Sequence, residues 1–138
     1  MPLTELAYHE LCAYTLSLGD AEFIHQHVVD AYAAQTPDAT SKPIRVAFAL
    51  FGLYLHVERG YTGRQVQRVH MGLAKQKRVW PTFLPPTNPT AMTARDVIRA
   101  AEGPARDRAI HEWAAAVWRD WSASHAQVRE YLRTEMGL

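Results

Sequence analysis

Residues 44 to 57, Ile-Arg-Val-Ala-Phe-Ala-Leu-Phe-Gly-Leu-Tyr-Leu-His-Val, are apolar on almost every side of a helix. A helix without a polar face has to be buried all round. Other helices must therefore surround this one, which becomes the centre of the molecule. Pro43 suits its first turn and Gly60 its end. Its longest uncharged apolar run, Val46 to Leu55, is about half the ~20 residues that cross a bilayer. The segment reads as a core helix, not a membrane span.

The flanking sequence supplies the surrounding helices. Thr4 caps a first helix to Leu18, with Gly19 as its stop and an apolar stripe of Leu3, Ala7, Leu11, Tyr14 and Leu18. Asp20 caps a second helix that runs to Gln35, and Glu22 favours its first turn. The polar segment Thr36 to Ser41 is a loop. Thr62 caps a fourth helix with the stripe Val66, Val69, His70 and Leu73. From Val79 to Met92 the prolines forbid a helix, while Trp80, Phe83 and Leu84 predict a loop packed across the domain. Thr93 and Asp96 form a capping box for a short helix to Ala101. A long last helix is expected from Pro104 to Thr134, with the stripe Ile110, Trp113, Val117, Trp121, Val128 and Leu132. No strand-like alternation appears. The expected architecture is all-α: one domain over residues 1–138, a compact bundle of four to five helices plus a Pro-rich loop.

Composition narrows the class. The 138 residues suffice for one core, and 48% are apolar against 21% charged, as in a globular protein. A net charge of +1 gives no reason to expect nucleic acid or an anionic membrane as partner. The basic stretch of Arg64, Arg68, Lys75, Lys77 and Arg78 reads as a solvated helix face. The single cysteine, Cys12, excludes an internal disulfide and a Cys-rich zinc site. The N-terminal Met-Pro-Leu-Thr-Glu-Leu has no signal-like character, which makes a cytoplasmic location the default expectation.

The chemistry has to come from the histidines. There are seven, His9, His25, His27, His56, His70, His111 and His125, all in expected helices. Imidazoles pointed inward from a bundle are the usual material of a bundle metal site. Glu22 and His25 have the Glu-x-x-His spacing of carboxylate-bridged di-metal bundles, but that spacing occurs here only once. His27 and Asp30 share another stripe with Phe23 and Ala34, while His25 lies with Val29 and Tyr32. The two histidines point roughly 200° apart on a regular helix and cannot bind one ion together. On the central helix, Glu58 follows the stripe Ile44, Phe48, Phe51, Leu55 and needs a partner if buried. The last helix repeats His111, Trp118 and His125 at heptad intervals. Phosphate loops, a Gly-x-Ser-x-Gly elbow and His-Glu-x-x-His are all absent.

Taken together, Phe23 to Gln35, Lys42-Pro43-Ile44, Gly52 to Gly60, Gly63 to Gln67, and Trp113, Val117-Trp118, Trp121 and His125 resemble an uncharacterised family of small helical bacterial proteins, a domain of unknown function. The resemblance implies the helical fold and directs attention to His25, Asp30, Tyr32 and Gln35. Its relatives often carry His-Pro after that glutamine, where this chain has Thr36-Pro37. A looser, architectural similarity is to four-helix metal proteins of the damage-inducible type. Those hold one ion with histidines from different helices, but usually carry a late His-x-x-x-His that is missing here.

Three functions remain open at this point. The first is a metal-binding bundle with hydrolytic or oxidative chemistry, taking Zn²⁺, Fe²⁺, Ni²⁺ or Mn²⁺ through His25, His56 and His125 with Asp30 or Glu58. The second is a metal-free module that binds a small molecule in a Trp-lined pocket built from His27, Tyr32, Trp118 and Trp121. The third is a structural or interaction protein. A homodimer is compatible with all three. Convergence of three ligating side chains from different helices would single out the first.

Overall fold

The computed structural model describes residues 3–38, 40–90 and 92–138. The first two residues of the N-terminal stretch, Ala39 of the polar loop and Ala91 of the Pro-rich segment lie outside these residues. The described chain is all helical: α1 Leu3–Ser17, α2 His25–Gln35, α3 Pro43–Arg59, α4 Gly63–Ala74, α5 Ala94–Arg99, α6 Pro104–Asp120 and α7 His125–Met136. Seven α-helices thus stand among the described residues where four to five were expected, because the expected last helix is split into α6 and α7 and the short α5 counts separately.

The centre is where the sequence puts it. Every residue of α3 from Ala49 to Leu55 is buried, and α3 packs against α2, α4, α6 and α7. Its fully buried Leu50, Phe51, Leu53 and Leu55 each contribute about 1.5–3 kcal/mol by leaving water. Trp113 and Trp121 fill the space between α2 and the C-terminal half. The Trp113 indole donates to Gln35 Oε1 (3.0 Å) and Gln35 Nε2 donates to the Met92 carbonyl (2.7 Å). Gln35 therefore ties the end of α2 to α6 and to the segment before α5.

Two boundaries differ from expectation. The second helix does not begin after Asp20. Phe23 takes a left-handed conformation (φ 57°), which interrupts helical geometry, and regular turns start only at His25. Asp20 still caps the chain, with its Oδ2 accepting from the Ile24 N–H at 2.9 Å. The last helix is not continuous to Thr134. It ends at Asp120, passes through a 3₁₀ turn at Ser122–Ser124 and restarts as α7. Side-chain bonds hold this break: the Trp121 indole donates to the Ala34 carbonyl, and His125 Nε2 donates to the Trp118 carbonyl (2.8 Å). In the Pro-rich loop, Phe83 is buried and Trp80 packs edge-on against Phe48. Leu84 is exposed, contrary to expectation, since it points from the opposite side of that extended stretch.

The basic stretch is partly committed to the protein itself. The Arg64 guanidinium lies 4.5 Å from the Phe23 ring, and Arg78 pairs with Glu135 while donating to the Leu73 carbonyl. No helix among the described residues is long and apolar enough to cross a membrane.

Candidate functional site

The polar stripe of α2 faces α3, so His27 meets His56 and Asp30 meets Gly52, one turn on along α2 and one turn back along α3. The His27 and His56 rings stack with centroids 3.5 Å apart and 18° between planes. From α6, His111 brings its Nδ1 to 2.9 Å from His56 Nε2. Its ring centroid is 4.9 Å from that of His56 and 5.9 Å from that of His27. Three helices remote in sequence thus deliver three imidazoles to one place.

Hydrogen bonding fixes their protonation. His56 Nδ1 lies 3.0 Å from the Tyr61 carbonyl, which can only accept, so Nδ1 carries the proton. His56 Nε2 is left with its lone pair directed at His111. In a neutral pair, His111 Nδ1–H donates to it, and His111 Nε2 is then unprotonated. His27 is 3% exposed, and its ring nitrogens make no hydrogen bond among the described residues. Burial, reinforced by the neighbouring His56 and His111, pushes His27 down to about 2. Burial also lowers His56, with the Tyr61 bond opposing it. Both are therefore neutral Lewis bases at physiological pH.

A cleft of about 360 Å³ opens beside these rings, lined by His27 and His111 together with Asp20, Glu22 and Asp107. Asp107 is positioned by the Tyr14 hydroxyl, which donates to it at 2.8 Å and accepts from Gly103 N–H. Asp20 and Glu22 sit on the α1–α2 connection, which is clamped onto the start of α4. The Glu22 carbonyl accepts from Arg64 N–H (2.9 Å). Gly63 packs so tightly on the Phe23 carbonyl that a Cβ there would overlap it. A left-handed Phe costs on the order of 1 kcal/mol or more, and here the surroundings hold it at the rim of a polar cleft.

The other residues singled out by sequence lie elsewhere. His25 points to α1, its Nδ1 2.9 Å from the Thr15 hydroxyl. Glu58 accepts from the Trp118 indole (2.7 Å) and from the Arg129 guanidinium (2.8 and 2.9 Å). Burial raises the Glu58 carboxyl, but these donors outweigh it and leave it below its ordinary value. His125 lies flat on Trp118 (3.7 Å, 7°) with Nδ1 3.8 Å from Glu58. Glu58, His125, Trp118 and Arg129 form one network in which both Glu58 oxygens, the Trp118 indole and His125 Nε2 are hydrogen-bonded. Trp121 spends its indole on Ala34 and borders a recess of about 140 Å³ beside Phe83 and an open surface cleft beside Leu84 and Asp120, neither of which His27, Tyr32 or Trp118 lines. The structure therefore brings His56 to His27, and brings neither His25 nor His125 to them. Among the described residues, no three His, Cys, Asp or Glu side chains surround one point as metal ligands do.

Asp30 is 3% exposed. Its Oδ1 accepts from Gln26 Nε2 (3.1 Å), whereas Oδ2 has no partner. Oδ2 rests on Gly52, where a Cβ would overlap it. Burial pushes this carboxyl well above the usual range, with the Gln26 bond opposing. Tyr32 stacks on Tyr8 (3.8 Å, 5°), and both line a second pocket, of about 270 Å³, that Asp30 also reaches.

Sequence reasoning favoured His125 over His111 on the last helix. His111 is exposed, lies off the apolar stripe and gains its meaning only from a partner 55 residues away. The usable signal was Gly52 and His56, four apart on a helix otherwise full of large residues. A glycine there marks the close approach of another helix.

Fold and site together define an all-helical bundle with an interhelical histidine cluster beside an acidic cleft. The chain belongs to a family of unknown function, DUF5946, whose model matches residues 5–122. The match spans His27, Asp30, His56 and His111 and stops before α7. No curated protein and no solved structure matches the chain.

Proposed function

We propose that the protein binds a divalent transition metal at His27, His56 and His111 and uses it for hydrolytic or oxidative chemistry in the adjoining cleft. The observation that carries this reading is the gathering of three imidazoles from α2, α3 and α6, two of them held neutral. Two nitrogens bound to one ion at about 2.0–2.1 Å stand roughly 3 Å apart, and His56 Nε2 and His111 Nδ1 are 2.9 Å apart. The Tyr61 carbonyl on His56 Nδ1 is the kind of partner that orients a metal-bound imidazole. His27 completes the set by turning its ring off the His56 face. Asp20, Glu22 and Asp107 add negative potential, and one of them can supply a further oxygen ligand. Remaining positions on the ion would hold water, acidified for hydrolysis.

The His27–His56 stack favours a second reading, in which the cluster works without metal. His111 Nε2 then acts as a base at the mouth of the cleft, in a module that binds a small molecule.

Calorimetric titration with Zn²⁺ and Ni²⁺ separates the two. The metal reading expects one saturable site, weakened by about 100-fold or more in His27→Ala and His111→Ala and unchanged in His25→Ala. Absence of a saturable site in the folded wild type would leave only the metal-free reading.

A further inference from the structure

We infer that the cleft beside the histidine cluster takes a small aliphatic cation, an amine or a guanidine on a short hydrocarbon chain. This rests on the reading above, that the chemistry takes place in this cleft, and adds the class of molecule on which it acts. Three carboxylates line the cleft, Asp20, Glu22 and Asp107, and among the described residues no lysine or arginine does so. Arg64, on the adjoining turn of α4, spends its guanidinium on the Phe23 ring and on Gln67 Oε1 (2.6 Å). Three carboxylates outweigh even a bound divalent ion, so the cleft is negative with or without metal. Such a surface turns away phosphates and carboxylates and draws in cations.

Acidic side chains alone would make only a solvated surface. These surround a group with unmet bonding capacity. His27 is 3% exposed and lines the cleft, yet its ring nitrogens make no hydrogen bond among the described residues. They are not sealed off as Asp30 Oδ2 is, so they open onto the cleft. A buried imidazole left in that state calls for a ligand. Two of the carboxylates are held in place. Asp107 stands one turn before His111 on α6, and the Tyr14 hydroxyl donates to its Oδ1 at 2.8 Å. Asp20 Oδ2 accepts from the Ile24 N–H. Glu22 is exposed at the rim, and its carboxylate makes no hydrogen bond or ion pair among the described residues. Leu18, Ala21 and Ile24 supply the apolar part of the lining. Hydrocarbon beside carboxylates fits a charge carried on methylene groups better than a bare hydrated ion. The volume of about 360 Å³ is that of a small-molecule site.

The test is calorimetric titration of the wild-type protein at pH 8 with butylamine and butylguanidine. 1-Butanol and butyrate serve as neutral and anionic controls with the same chain. The guanidinium ion has no lone pair to give a metal, so its binding reports charge and not coordination. At least one cation should bind saturably, and each control at least about tenfold more weakly. Glu22→Gln and Asp107→Asn each keep the side-chain shape and remove one charge. Each should weaken cation binding by about threefold or more with circular dichroism unchanged. Zinc titration of the same protein keeps this assignment apart from the metal reading. One zinc site without cation binding overturns the cation alone, and cation binding without a zinc site overturns the metal alone. Three results would overturn the cation: neither cation bound at millimolar concentration, equal binding of 1-butanol or butyrate, or binding unaffected in both folded variants.

Discussion

The end of α3 feeds two polar clusters with opposite states of satisfaction. On one side, Glu58 meets Trp118 and Arg129, and both its oxygens, the Trp118 indole and His125 Nε2 are hydrogen-bonded. On the other, His27 lines a cleft and makes no side-chain hydrogen bond among the described residues, and the buried Asp30 Oδ2 has no partner, across the helix face that presents Gly52 and His56. Both clusters contain a histidine, a carboxylate and aromatic neighbours, so their compositions are alike. Unmet hydrogen-bonding capacity distinguishes them, and unmet capacity at a concave surface is what a ligand uses. The saturated cluster stabilises; the unsaturated one is the place to look for function.

The contrast can be broken by mutation. The largest effect is expected from Gly52→Ala, which forces a methyl group into the Asp30 carboxyl and has only helix backbone and Val66 to push against. A loss of about 3 kcal/mol, toward the upper end for an overpacked core, should appear in urea denaturation. Next is Glu58→Ala, which orphans the Trp118 indole in that network; it should cost about 1–3 kcal/mol in the same assay and leave metal binding at His27 unchanged.

Asp30→Asn should act in the opposite sense. The folded state raises this acid, so Asp30 favours the fold below its unfolded value and loses that contribution as pH rises through its folded value. Asparagine carries no ionisation penalty, so the variant should be more stable than wild type at pH 7. The advantage should shrink as pH falls toward about 4, and thermal melts across that range check it. The smallest change belongs to His125→Ala, which removes one stacking contact on Trp118 and should cost about 0.5–1.5 kcal/mol by chemical denaturation.

The central position of α3 was legible because an apolar segment of that length has one physical solution. The cap at Thr62 and the capping box at Thr93 were legible for a similar reason: the pattern is local, and both form, Thr62 adding a box with Gln65. The break at Trp121 was not, because it depends on a bond to Ala34, 87 residues away. The late start of α2 depends on Phe23 being held left-handed by Gly63 and Arg64. The candidate site divides in the same way. His27 and Asp30 could be placed on one stripe from their spacing, and His56 was named as a ligand. The pairing of His56 with His111, and the capture of Glu58 by Arg129, are tertiary facts that no helical spacing encodes.

The most direct test of the account is elemental analysis of untagged protein purified without chelator, alongside His27→Ala and His125→Ala. The account predicts about one equivalent of transition metal per chain, lost in His27→Ala and retained in His125→Ala. Folded wild-type protein without metal, or metal lost from His125→Ala and kept in His27→Ala, would contradict it.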